Sequence, residues 1–587
     1  MHVMAYSPRL LAAALAAAVL GCSSGGGTSF DGWGDPHPWD LPEGTDGIPD
    51  VPRDDGGGVC SPGEVLCTGD TTYNRCNVDG SGWETDLVCE AGTTCMGGGC
   101  YSPCTYAERN RSSIGCLFYA ADLDQYDDGT YDFDISPYAI VVSNIDDEWA
   151  ANVSLQQKTG AVWTAIETRT IPPNSLDTFR LASDAHAEDT SLRPGGAYRI
   201  ESDYPVVAYQ FNPIDTADQM SNDASMLLPV HALDRWYHAA SWHQFNMGGV
   251  FPLELKGYID IVGTQDGTQV TIVPSAATAA GGALPALAAG TPCTTVLNDG
   301  DLLQIASAAD GGDLSGTYIE ASAPVAVFGG HECADVPYLC DWCRNAFGSP
   351  PGAQHRENTC AWCDHLEEQI VPLTTWGKTL MASRVPVRST SGIVEAVFWR
   401  VVASEDGTTV NVTARPGIML RFASGVSLPA VVNKGQVLDF EMVGTVEDPG
   451  DALVEADKPV LLMQYIAGLE GTNRAAGGGG DPAMIIMVPV EQYLGEYIFL
   501  TPSTYEVDYV LVTRGAGAAI TLDGAPLSDG SFIPVASGWE VGRFPIADGV
   551  HRMTGTSAFG IIAVGYSPYV SYGYPGGMSL EVINPVI

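Results

Sequence analysis

Apolar and polar residues alternate with a period of two in four segments of similar design. These are YAIVVSNIDDEWAANVSL (138–155), YIDIVGTQDGTQVTIV (258–273), FWRVVASEDGTTVNVT (398–413) and VDYVLVTRGAGAAITL (507–522). In the third, Val410 and Val412 alternate with Thr409, Asn411 and Thr413, which gives a strand one apolar and one polar face. Asp-Gly at 266–267 and at 406–407 is a strong turn signal, so each segment is predicted to be a pair of strands closed as a hairpin. Each is followed by a strand of nearly continuous apolar character: YPVVAYQF (204–211), APVAVFGG (323–330), KPVLLMQY (458–465) and FGIIAVGY (559–566). In the first three a proline opens the strand, where its missing N–H is tolerated. A third element then recurs as MLLPVHALDRWY (226–237), EEQIVPLTTWGK (367–378), MIIMVPVEQYLG (484–495) and, truncated, MSLEVINPVI (578–587).

The repeat is about 100–140 residues long, too long for a short solenoid unit. The expectation is all-β: tandem β-sandwich-like repeats, preceded by a small disulfide-rich module. A β-propeller-like ring is the alternative, because the last unit stops at the element with which the others hand over. The 68 glycines and the absence of long helical periodicity agree with a turn-rich β protein.

The N-terminus changes the compartment. LLAAALAAAVL (10–20) follows Arg9 and is too short to span a bilayer. It fits the apolar core of a secretion signal, residues 1–21. Val19-Leu20-Gly21-Cys22 resembles a bacterial lipobox, with Cys22 as the lipidated residue, although Leu20 departs from the usual small residue there. Ordinary signal cleavage is the alternative, and either route exports the chain to where thiols oxidise. Residues 22–59 then read as a lipidated cysteine and a disordered acidic tether rich in Gly, Ser, Pro and Asp. Export to the bacterial envelope, displayed from the outer membrane or cell surface, is the expected localisation.

The remaining fourteen cysteines form two groups with even counts, as disulfides require. Cys60, Cys67, Cys76, Cys89, Cys95 and Cys100 lie in a module of residues 60–103, too small to fold on an apolar core alone. Cys104 and Cys116 are expected to pair where the large domain, 104–587, begins. Cys293, Cys333, Cys340, Cys343, Cys360 and Cys363 make the second group, and their pairing is not readable from spacing. Cys340, Cys343, Cys360 and Cys363 have the C-x2-C-x16-C-x2-C spacing of a zinc site. The oxidising compartment favours disulfides over it.

The net charge of −45 excludes nucleic acid and anionic membrane surfaces as partners, and favours cationic partners or calcium. DLDQYDDGTYDFD (122–134) is the calcium candidate, through Asp122, Asp124, Asp127 and Asp128, although it lacks EF-hand order. A solvated acidic loop is the competing reading. No G-x-S-x-G and no H-E-x-x-H occurs, and AAGGGGDP (475–482) lacks the Lys-Ser or Lys-Thr of a phosphate loop. Trp236, Trp242, Trp376 and Trp399 fall on or between strands and read as core.

GYIDIVGTQDGTQVTI, SNDASMLLP, APVAVFGGHECADVP and CDHLEEQIVPLTTWGK together resemble the N-terminal domain of the IgG Fc-binding protein family, over about residues 104–587. The resemblance implies an extracellular, non-catalytic binding domain, and brings no catalytic motif. It also implies that Cys333, in GGHEC, pairs with Cys363, in CDHLEEQ. Such a bridge draws His331, Glu332, Asp364, His365, Glu367 and Glu368 together. That cluster is either a set of polar residues orienting the disulfide loop or the site of a secreted hydrolase built on His331, Asp364 and His365. The expected function is therefore binding or adhesion to an extracellular protein or glycan, without catalysis. Contact with the membrane would run only through the N-terminal lipid. The hydrolase and a purely structural envelope component are the alternatives.

Overall fold

The computed structural model describes residues 59–587, apart from 91, 128–132, 135, 182–185, 215–220, 248–252, 283, 338–362, 389–393, 446, 469–478 and 586–587. The signal segment, Cys22, the acidic tether up to residue 58, Asp128, Cys340, Cys343 and Cys360 lie outside the described residues.

Four modules follow one plan, each built on a long spine strand: Tyr198–Asn212, Tyr318–Ala334, Ala452–Ile466 and Gly549–Ser567. The two halves of a spine pair with different neighbours. In the second module, residues 318–321 lie between the strands Asp234–His238 and Thr268–Val273. Residues 325–334 lie between Gly257–Gly263 and Asp364–Gln369. Each module is thus two half-sheets sharing one strand, a sandwich-like unit of seven or eight antiparallel strands.

This pairing corrects two sequence expectations. The strands on either side of Asp266-Gly267 and Asp406-Gly407 exist, and both glycines take the left-handed conformation, with φ of 77° and 65°. They do not pair with each other as hairpins. Both pair with the same spine, one along each half. Alternation specifies a half-buried strand but not its partner, and a spine of 15 residues or more offers two stations. The second correction concerns Pro205, Pro324 and Pro459. They do not open the spine but fall inside it, between the stretch that pairs with one neighbour and the stretch that pairs with the other. No ladder hydrogen bond is lost there, which is why the ring is tolerated in mid-strand.

The third repeated element connects modules. A short strand follows each spine: Asp223–Met226, Asp364–Gln369, Met484–Met487 and Val570–Pro575. In the first three modules a proline and one 3-10 turn then lead into the first strand of the next. The fit at these links is close. A Cβ on Gly115 would lie 2.4 Å from Pro229 Cβ, and one on Gly377 would lie 2.5 Å from Pro489 Cβ.

The short strands meet in cyclic order, first with second, second with third, third with fourth and fourth with first. The modules therefore close into a four-membered ring, with these strands along its axis. The last link is non-covalent. Ser113 N–H donates to Met578 O (3.1 Å) and Leu580 N–H to Arg111 O (3.0 Å), just ahead of the first strand, Gly115–Ala120. Tyr209 packs on Tyr574 across the same seam, with ring centroids 4.7 Å apart. One apolar cluster runs from Phe118 to Leu580 through several module boundaries, so the ring shares a core. Trp242, Trp376 and Trp399 are buried in it or in its neighbour, and Trp236 packs half-buried against it.

The N-terminal module is a three-stranded sheet and a two-stranded hairpin held by Cys60–Cys76, Cys67–Cys95 and Cys89–Cys100. A seven-residue helix, Pro103–Arg109, capped by Ser102 Oγ, leads from it into the ring. Cys104–Cys116 staples this helix to the first strand.

Between the second and third modules sits Arg400, with no exposed surface, bonded to Asp313 Oδ2 (2.7 Å) and Asp439 Oδ2 (2.8 Å) and stacked over Trp242. Arg400→Ala strands both carboxylates at the interface. It is expected to cost about 3–5 kcal/mol, read as a lower urea midpoint with an unchanged slope.

Candidate functional site

The ring axis explains the polar residues that crowd the two motifs SNDASM and DHLEEQ. An axial strand lies in a spine's sheet on one side only, so its N–H groups on the other side need partners inside the core. Side chains of the adjacent axial strand supply them at a constant offset. Ser221 Oγ accepts from His365 N–H (3.0 Å), Asp223 Oδ2 from Glu367 N–H (3.2 Å) and Ser225 Oγ from Gln369 N–H (2.7 Å). The second strand reciprocates. Asp364 Oδ1 accepts from Asn222 N–H (2.6 Å), and Glu368 Oε2 accepts from Ser225 Oγ–H (3.0 Å).

The same carboxylates reach the third module. Asp223 Oδ2 also accepts from Met484 N–H (2.9 Å), and Glu368 Oε1 from Ile486 N–H (3.0 Å). Gly573 N–H of the fourth module faces Asp223 as well. One aspartate thus touches all three other modules. The third axial strand, MIIM, offers no polar side chain, and these two acids serve its backbone instead.

His331, Asp364, His365, Glu367 and Glu368 are brought together here, all at 1% exposure or less. His331 Nε2 lies 3.0 Å from His243 O, and its Nδ1 accepts from Cys333 N–H (3.1 Å). Burial pushes His331 down to about 4, and burial with the neighbouring His331 pushes His365 down to about 3, so both rings are neutral at pH 7. Burial raises Asp364, Glu367 and Glu368 well above the usual carboxylate range. The neutral imidazole of His365 is sealed from solvent, with Nε2 3.7 Å from Glu367 Oε2, which accepts from Gln210 Nε2 of the first module (3.2 Å). The geometry makes this group part of the ring's joint. Glu332 stands apart, half-buried, and accepts from Lys256 N–H (2.9 Å).

Cys333 and Cys363 are disulfide-bonded, which removes Cys363 from a four-thiolate zinc site. Cys293 is oxidised as well. Of the four calcium candidates, Asp128 lies outside the described residues. Asp122 and Asp124 are buried, Asp127 is exposed, and no group of ligand atoms within mutual reach contains any of them among the described residues. The chain turns inward as a strand extension, and Asp124 Oδ2 is committed to Gln304 Nε2 (2.5 Å) of the second module. The acidic group that does converge is Asp134, His186 and Glu188. His186 and Glu188 carried no motif in the sequence, because their partner lies some 50 residues earlier.

Residues 223–565 match the family described as IgGFc binding protein. The chain belongs to this family. The match opens at Asp223, the residue that bridges the modules at the axis, and runs through the second, third and fourth spines. A curated member, the IgGFc-binding protein of Homo sapiens, is 22% identical over 400 residues. That alignment takes in 66% of this chain but 6% of the human protein's length. No solved structure matches.

In this member of the IgGFc-binding family, the disulfide module and all of the first module ahead of its axial strand lie N-terminal to the family match. A cleft of about 330 Å³ runs between them, lined by Met96, Pro103, Tyr106, Ile114, Tyr204 and Pro205 among others. Asp146 lies on its rim, and Trp149, three residues on, is 60% exposed. No helix among the described residues is long and apolar enough to cross a membrane.

Asp223→Ala leaves the N–H groups of Glu367 and Met484 unpaired in the core. At about 1–3 kcal/mol for each, the expected loss is about 2–6 kcal/mol, measured by chemical denaturation, with Asp223→Asn losing less. Stability should also fall as pH rises from about 6.5 to 8. Burial raises Asp134 to about 7, Asp335 to about 8, Asp508 to about 7 and Glu332 to about 8. The folded state therefore holds protons that the unfolded chain, with carboxylates near 4, has released. His186 acts in the same direction. Burial lowers its pKa, but Glu188, Asp134 and Asp122 outweigh that and raise it to about 9, so its contribution is lost as pH rises through that range. His331 and His365 oppose this trend only below about 6.5. A higher thermal midpoint at pH 6.5 than at pH 8, in EDTA, is the expected result.

Proposed function

We propose that this protein is a non-catalytic binding protein of the bacterial cell surface. A lipid on Cys22 holds it there, and its target is an extracellular protein. The observation that carries the reading is the use made of the axial residues. In the histidine–carboxylate cluster that the sequence offered for hydrolysis, the carboxylates of Asp364 and Glu368 join modules and the two histidines are buried and neutral, which favours the outer surface of the ring as the part that acts. Membership of a family named for binding a protein supports the same conclusion. The chain as a whole carries 71 acidic against 26 basic side chains, which favours a partner with a basic face.

Antibody Fc belongs to the name of the family and of its human member, and is one candidate among basic extracellular proteins. The test is immobilised full chain against Fc and a panel of basic and acidic extracellular proteins at 50 and 300 mM salt, with a glycan array in parallel. Saturable binding to a basic protein, weakened at high salt and retained by His365→Ala, is expected. Turnover of any such partner, abolished by the same substitution, would overturn the reading. In cells, Cys22→Ala should move the protein from the membrane fraction to the medium or periplasm, and unchanged fractionation would refute the lipid anchor.

A further inference from the structure

A second polar cluster lies at the junction of the first and second modules, away from the axis. Asp134 ends the acidic segment of the first module, and its side chain is 5% exposed. One of its oxygens accepts from Gln125 N–H (2.8 Å), and the other, Oδ2, is buried without a hydrogen-bond partner. His186 Nε2 lies 2.8 Å from Glu188 Oε1 and 4.0 Å from Asp134 Oδ1. One ligand atom from each of the three residues falls within 4.8 Å of the others. Glu188 is exposed, so the group is open to solvent on one side.

Asp260, on the second module's strand Gly257–Gly263, lies within electrostatic reach of His186. Asp260 has no exposed surface, and neither of its carboxylate oxygens has a hydrogen-bond partner. The charge that acts on it is that of His186. Asp122 also acts on both His186 and Asp134. A single imidazole therefore stands against the carboxylates of Asp122, Asp134, Glu188 and Asp260. The nearby cation, Lys256, is paired with Asp189. Buried carboxylates at such spacing repel unless a proton or a metal ion compensates them.

We propose that Asp134, His186 and Glu188 bind a divalent transition cation of the zinc or manganese class. One imidazole nitrogen with two or three carboxylate oxygens suits those ions, whereas calcium prefers oxygen alone. The cation would pin the modules together. His186 and Glu188 lead directly into Ser191–Arg193, a strand that the first module lends to the edge of the second module's sheet, where it pairs with residues 302–304. Among the described residues the other cluster with metal-like spacing, Cys89, Cys95 and Cys100, is oxidised, which leaves it no thiolates to compete.

The test is calorimetric titration of the EDTA-stripped full chain with Zn2+, Mn2+ and Ca2+ separately, alongside thermal unfolding. Expected are one saturable Zn2+ or Mn2+ site per chain and a raised unfolding midpoint. His186→Ala should weaken binding at least about tenfold. Glu188→Gln, at the exposed end, serves as the second variant if His186→Ala does not fold. Asp127→Asn, an exposed acid outside the group, should leave binding unchanged. The proposal is overturned by absence of saturable Zn2+ and Mn2+ binding near one per chain. It is equally overturned if folded His186→Ala or Glu188→Gln binds as the parent does, or if only Ca2+ binds and His186→Ala leaves that binding intact.

Discussion

The demand of buried backbone N–H groups for acceptors organises this protein. At the ring axis, four short strands approach one another side by side without forming a sheet. Their inward N–H groups would be orphaned, at a cost comparable to that of a lost hydrogen bond each. Ser221, Asp223, Ser225 and Glu368 meet that demand with side-chain oxygens. Short hydroxyl and carboxylate side chains are needed because the acceptor must stand where a neighbouring carbonyl would stand in a ladder. The polar residues of the motifs follow from the ring's geometry, and so does their burial.

The same residues carry the cost of this arrangement. A chain with a net charge of −45 places many of its acids inside, and burial drives their proton affinities upward. Arginines hold other acids at the interfaces. Arg400 joins the second and third modules, and Arg543, bonded to Asp451 Oδ1, joins the third and fourth. At the first interface, Asp299 collects Tyr119 Oη (2.5 Å), Trp163 Nε1 (2.6 Å) and Lys158. These three joints of the ring thus each have their own polar device over a shared apolar core.

The strands, the repeat and its approximate period were legible, because alternation and apolar runs report burial directly. Partner choice was not. Asp266-Gly267 has the chemistry of a hairpin turn, yet the spine collects both of its strands. Pro324 marked a strand but not its start, since the relevant fact is where pairing switches along the spine. His331, Asp364 and His365 were recognisable as a cluster. Whether they face a substrate or a core depends on the third and fourth modules, which lie more than a hundred residues further along the chain. His186 had no signal at all, since isolated residues acquire meaning only from what folds against them.

The sequence by itself determined an acidic all-β chain with a fourfold repeat and cysteines in even groups, because composition, periodicity and cysteine parity are local or additive properties. Tertiary structure alone decided that the repeats close into a ring and that the end of the chain at Met578 and Leu580 completes the first module's link. It also decided that the carboxylates of the histidine–carboxylate motif bond across modules and that its histidines are buried. Those outcomes depend on which backbone groups are left without partners once four modules meet at one axis, and no single segment contains that information.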